Sequence, residues 1–178
     1  MMDWHAHQPL TCRGIAPQRA HRGFTLIEML VVLTIVAILA GAAVPLQQLL
    51  QRRLQEQALR EALRSIRGAL DAHRSAVEAH RIAASADGSP WPASLALLER
   101  GVPLLDEQGQ PQRDGPRLYL LRKLPRDPFA DPALAAADSW APRASNTPPD
   151  APAAGADVFD ISSRAPGKAL DGSRYAEW

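Results

Sequence analysis

A glycine-phenylalanine junction, Gly23-Phe24, stands just ahead of a lone carboxylate, Glu28. Beyond it, Met29 to Gln51 carries no charged side chain. A carboxylate at the centre of a membrane-spanning helix costs roughly 2.5–3.5 kcal/mol and less near the interface, so it persists where it has a partner. If the chain is cut after Gly23, Phe24 gains a free α-amino group about one helical turn from Glu28, and the acid also sits in the positive field of a helix N-terminus. That is a chemistry of processing and assembly. For catalysis the residues offer little: beyond the junction the only histidines are His73 and His80, two turns apart, with no second metal-ligand cluster, nucleophile elbow or phosphate loop beside them. They read as helix-packing or surface residues, and the chain as a non-enzyme.

The elements that must position this junction follow from hydropathy. From Met29 to Leu46 only Thr34 is neither apolar nor glycine, and its hydroxyl can bond back to its own helix. At 1.5 Å per residue the run from Met29 to Gln51 reaches about 35 Å, enough to cross a hydrocarbon core of about 30 Å. Arg13, Arg19 and Arg22 against the single acid Asp3 keep the N-terminus cytoplasmic, although Arg52 and Arg53 weaken the asymmetry. The C-terminal part is then expected outside the cytoplasmic (inner) membrane, in the periplasm if the cell is Gram-negative.

Composition suits an exported product. The one cysteine, Cys12, precedes the junction, so the processed chain has no internal disulfide. The leader also holds three of the 20 basic residues and one of the 19 acidic ones. What remains is near neutral, without a polyanion-binding signal; no nucleic-acid partner is expected.

The string Gly23-Phe24-Thr25-Leu26-Ile27-Glu28, followed by an apolar run containing Pro45, resembles the class III signal of type IV pilins and of the pseudopilins of type II secretion systems, the major pseudopilin in particular. The resemblance implies cleavage between Gly23 and Phe24 by a prepilin peptidase, N-methylation of Phe24, and an assembly role for Glu28, which would neutralise the N-terminal amine of a neighbouring subunit. The leader is longer than the short basic leaders of most such proteins, so Met1 is either an upstream start or the head of a long leader. A plain signal anchor explains the apolar run but not Glu28. Cleavage at Ala40-Gly41-Ala42 by signal peptidase would instead release a soluble binding protein.

The helical period continues past the span. Leu46, Leu50, Leu54, Leu59, Leu63, Ile66, Leu70, His73 and Val77 recur at steps of three to five, the signature of one helix face. One helix from Phe24 to about Ala84, near 90 Å long, is expected, with a kink or local melting near Gly41 to Pro45. Arg52, Glu56 and Arg60, and Arg67 with Asp71, stand four apart and read as a solvated face.

Glycine and proline at Ser85–Pro90 end the pattern. A short helix is expected around Leu95–Leu98, after Trp91-Pro92, which resembles the Tyr-Pro-x-x-Leu of pseudopilins. Leu118–Leu124 is a strand or extended candidate leading into Pro125-Arg126-Asp127-Pro128-Phe129, similar to the Leu-Pro-x-Asp-Pro-Trp turn of the major pseudopilin, with Asp127 a turn-former. Ala130–Ala156 is alanine- and proline-rich; its one packing signal is Ser139-Trp140-Ala141, and Asn146–Ala156 is expected to be a mobile surface loop. Asp157–Ser163 alternates as a half-buried strand, Val158 and Asp160 on one face and Asp157, Phe159 and Ile161 on the other.

The tail from Leu170 to Trp178 resembles the pseudopilin ending. That likeness raises calcium in the C-terminal loop, where Asp171 matches a family acid while Arg164 and Lys168 stand where the calcium-binding members have acids; no cofactor is therefore assigned. The expected architecture is α+β and pilin-like: a leader (1–23), a membrane and assembly half of the long helix (24–51), an amphipathic half (52–84) and a periplasmic region with a small antiparallel sheet (85–178). Expected partners are further copies of the chain, other pseudopilins, the prepilin peptidase and methylase, the inner-membrane assembly platform and the lipid bilayer. The expected function is a pseudopilus subunit in protein export; a type IV pilus subunit for adhesion, motility or DNA uptake is the alternative.

Overall fold

The computed structural model describes residues 23–112 and 114–178, without the side chains of 42–44. Apart from Gly23, the leader lies outside the described residues. Met1–Val44 and Pro45–Trp178 form separate compact units. One helix, α1 (Leu26–Glu78), contributes to both, followed by α2 (Ala96–Arg100), β1 (Val102–Pro103), β2 (Arg117–Leu118), β3 (Trp140–Arg143) and β4 (Asp160–Ser163). The strands form two antiparallel pairs, β1 with β2 and β3 with β4. This is the α+β, pilin-like architecture expected from the sequence.

In the first unit α1 is exposed throughout its described side chains, from Leu26 (83 %) to Leu39 (64 %). Thr34 donates its hydroxyl to Leu30 O at 2.8 Å, so the one polar side chain of the apolar stretch is satisfied within its own helix. Helix assignment runs unbroken through Pro45. The expected local melting is absent, although a proline inside a helix costs about 3 kcal/mol through its missing N–H and its clash with the preceding turn.

The second unit corrects the single-stripe reading of α1. Leu59, Leu63, Ile66 and Leu70 are buried, whereas Leu46, Leu50 and Leu54 are 59 %, 50 % and 65 % exposed. The step of five from Leu54 to Leu59 explains the change, because it turns the side chain about 140° round the helix where a step of four turns it about 40°. Two stripes result, on opposite faces. The buried one joins Trp91, Leu95, Leu98, Leu124, Trp140, Ile161 and Tyr175 in one core, each large aliphatic member contributing about 1.5–3 kcal/mol.

The helix stops at Glu78 rather than near Ala84. His80 takes a left-handed conformation (φ 53°), its N–H donates to Val77 O at 2.9 Å, and the N–H of Arg81 donates to Ala76 O at 2.9 Å. These are the two bonds of a Schellman closure. Ile82, buried at once, then pairs with Leu104.

α2 forms where the leucines after Trp91-Pro92 placed it, with Leu98 fully buried. Gly101 follows at φ 78°, and a Cβ there would come within 2.8 Å of the Tyr119 ring, so glycine is required twice over. Of the expected Leu118–Leu124 strand or extended segment only Leu118 pairs with a strand, β2 starting one residue earlier at Arg117. Leu120 and Leu121 instead both donate their N–H groups to Leu98 O, bending the chain across the end of α2. The alanine- and proline-rich segment holds β3, a strand the sequence did not reveal; Trp140 is fully buried and donates its indole N–H to Pro125 O at 2.9 Å. β4 is shorter than expected, with Ile161 and Ser163 buried on one face. Asp157 and Val158 precede it and are buried too, because Val158 N–H donates to Pro92 O and Asp157 accepts from Ser89 and Ser145. Desolvation alone would raise the Asp157 pKa, but the Ser145 and Ser89 hydrogen bonds outweigh it and hold the carboxyl below its ordinary value.

Candidate processing and assembly site

Thr25 starts α1. Its carbonyl accepts the first helical bond, from Met29 N–H at 3.2 Å, and its hydroxyl oxygen accepts the N–H of Glu28 at 3.2 Å. Thr25 is thus the N-cap and Glu28 the third helical residue, which forms the N-cap half of a capping box. The cap was legible as Thr-x-x-Glu before an apolar run, and the sequence reasoning missed it. Its consequence is positional: it fixes the helix start two residues past Phe24, so the Gly23-Phe24 bond lies ahead of the helix, outside regular secondary structure, and Glu28 lies in the first turn.

Gly23, Phe24, Thr25 and Glu28 together line one shallow concavity. All four are exposed, Phe24 by 74 %. A peptidase can reach the bond without unfolding a helix, and the carboxylate sits where the unpaired N–H groups of the helix end favour negative charge. Pro45 begins the second compact unit.

The solvated charge face expected on the second half of α1 is largely a set of tertiary contacts. Glu56 is buried and accepts the Leu170 N–H at 2.9 Å and the Tyr175 hydroxyl at 3.0 Å. Arg60 pairs with Asp171 at 3.0 Å instead of Glu56, and Arg67 with Asp160 at 2.8 Å instead of Asp71. Of the expected pairs only Arg52 with Glu56 forms, at 3.8 Å. Side chains that follow the four-residue rule were drawn off by the C-terminal chain, which helix periodicity cannot see.

Asp127 forms its turn as expected. It is buried, accepting the Phe129 N–H at 2.8 Å and the Ser163 hydroxyl at 2.5 Å. His73 is also buried, with Nδ1 3.0 Å from Pro90 O; burial lowers its pKa below the ordinary imidazole value, and the Pro90 hydrogen bond opposes this only in part. His80 is the helix-closing residue described above.

The calcium suggested by the C-terminal loop does not fit its residues. The ion takes six to eight oxygens, but between Arg164 and Arg174 the only acid is Asp171. Its Oδ1 accepts Ser173 N–H and Oγ–H, and its Oδ2 faces Arg60. Among the described residues no three His, Cys, Asp or Glu side chains converge as a metal site.

The pattern described as the prokaryotic N-terminal methylation motif matches residues 18–44. No curated protein and no solved structure matches the chain. Among the described residues one helix, α1, is long and apolar enough to cross a membrane, with a mean hydropathy of 2.6 over its most apolar window and none of that window buried. The matched motif, the exposed apolar helix behind it and the α+β domain support a type IV pilin-like protein. Such a motif implies processing by a prepilin peptidase and assembly into pilin-like polymers.

Proposed function

We propose that the chain is a structural subunit of a type II secretion pseudopilus. It waits in the inner membrane as a single-pass protein with a cytoplasmic N-terminus, is cut between Gly23 and Phe24, is N-methylated at Phe24, and leaves the bilayer to join a periplasmic fibre of its own copies and other pseudopilins on an assembly platform. It is a substrate of the peptidase and methylase and not itself an enzyme. The observation that carries this reading is Glu28, an exposed acid in the capped first turn of a helix that then runs uncharged to Gln51 with its described side chains exposed. The leucine stripe Leu46-Leu50-Leu54 adds support, because it lies on the side of α1 away from the core of its own domain and is free for another copy. A processed chain without cysteine favours the pseudopilus over an adhesive or motile type IV pilus.

Mass spectrometry of the processed protein tests the first step: an N-terminus at methylated Phe24 is expected, and a start near Ala43 would refute the reading. Replacing Glu28→Leu should leave membrane insertion intact and abolish incorporation beside wild-type subunits. Normal incorporation would remove the assembly role of the carboxylate.

A further inference from the structure

The C-terminal loop is fastened to α1 from one flank of the helix. Arg52, Glu56 and Arg60 recur every four residues, and Arg67 falls within the same quadrant. Arg52 donates from Nη2 to Lys168 O and from Nε to the Tyr175 hydroxyl at 3.4 Å. Glu56 takes the Leu170 N–H and the Tyr175 hydroxyl on one oxygen. Arg60 pairs with Asp171, and its guanidinium lies 4.2 Å above the Trp178 ring. Arg67 donates to Ile161 O and Trp178 O.

Several loop atoms that could bind a cation are already engaged. Lys168 O already accepts from Arg52, Ala169 O from Gly172 N–H, and Asp171 from Ser173 and Arg60. The Ser173 hydroxyl and N–H, with Arg60 behind them, hold the Asp171 carboxyl below its ordinary pKa, and the Tyr175 hydrogen bond raises that of Arg52. Both groups stay ionised across the neutral range. A divalent ion would have to displace a guanidinium that is already paired, in a loop that itself carries Arg164, Lys168 and Arg174.

We propose that Arg52, through hydrogen bonds to Lys168 O and the Tyr175 hydroxyl, and Arg60, through its ion pair with Asp171, hold residues 164–178 on α1 in place of a bound divalent cation, so that this subunit folds independently of calcium. The inference concerns the domain and holds whichever fibre the subunit joins. Two planar donors do this: the one at 52 reaches a carbonyl and a hydroxyl together, and the one at 60 reaches a carboxylate while stacking on an indole.

The test uses the full chain in detergent, with thermal unfolding followed by tryptophan fluorescence. Midpoints in EDTA and in millimolar calcium are expected to coincide. Arg52→Met and Arg60→Met should each lower the midpoint by about 2–4 °C, and Arg60→Met should also shift the emission of the uncovered Trp178. A midpoint raised by calcium in the unaltered chain, or variants that melt with it, would overturn the proposal. Calorimetric titration of the unaltered chain with calcium chloride needs no variant: no binding heat is expected, and saturable binding would likewise overturn it.

Discussion

Replacing Asp127→Ala is the sharpest probe of how the domain is fastened. The carboxylate is 2 % exposed, and it joins three segments. It accepts the Phe129 N–H within its own turn and the Ser163 hydroxyl from β4. Its backbone N–H donates to the Ser139 hydroxyl oxygen, which donates in turn to Ala136 O. Alanine keeps the backbone bond but strands two donors, and leaving a buried donor unsatisfied costs about 1–3 kcal/mol each. The expected loss is about 3–5 kcal/mol, a fall of about 10 °C in the unfolding midpoint for a chain of this size. Asp127→Asn retains an oxygen for the Phe129 N–H, and the rotatable Ser163 hydroxyl can turn to accept from the new amide, so its cost should be about 1 kcal/mol. Tryptophan fluorescence of the processed chain is the suitable signal, because Trp91, Trp140 and Trp178 lie in the second unit, the exposed apolar helix carries none and the fourth, Trp4, precedes the junction. If the two variants unfold together, within about 0.5 kcal/mol of the parent as at an ordinary surface site, the buried hydrogen-bond account of this turn is wrong.

His73 should make the domain acid-sensitive. Its pKa is lowered in the folded state, so the unfolded chain binds more protons near and below the ordinary imidazole pKa of about 6.5; stability is full above that pH and declines as pH falls below it. Unfolding midpoints from neutral pH to pH 5 should therefore fall more steeply for the parent than for His73→Gln, and parallel slopes would refute the assignment. Replacing the exposed leucines 46, 50 and 54 together by serine should change the domain's unfolding free energy little, since none contributes to its core. The same variant should incorporate poorly into fibres beside wild-type subunits, as measured by affinity capture of sheared fibres.

The processing junction, the span and the short second helix were legible because each is written in contiguous residues. Gly23-Phe24 and Glu28 need no tertiary partner to be recognised, and Leu95–Leu98 between Pro92 and Gly101 carries its own start and stop. What escaped depends on neighbours distant in sequence. β3 hides among alanines and prolines because its stability comes from Trp140 in the core and from four paired positions on β4, neither of which appears in local propensity. The end of α1 was misplaced because an ordinary histidine takes the left-handed position that glycine usually marks. Thr25 is the opposite case, a local signal that was present and went unread.

The single-stripe reading of α1 failed for a reason that bears on function. A leucine every fourth residue is compatible with one face only while the step is kept, and the step of five at Leu54–Leu59 turns the pattern over. A helix that served only as the spine of its own domain would gain nothing from leucines on its outer side, where each leaves apolar surface in water at about 25 cal/mol per Å². The cost is recovered when another chain covers that side. The inward stripe, with Glu56 and the arginines at 52, 60 and 67, holds the C-terminal chain in place. The outward leucines and the uncovered helix ahead of them are left for other molecules. One helix therefore carries two separable codes, and substitutions on the two faces should part stability from assembly: the inward set lowers the unfolding midpoint of the free subunit, and the outward set lowers incorporation at an unchanged midpoint.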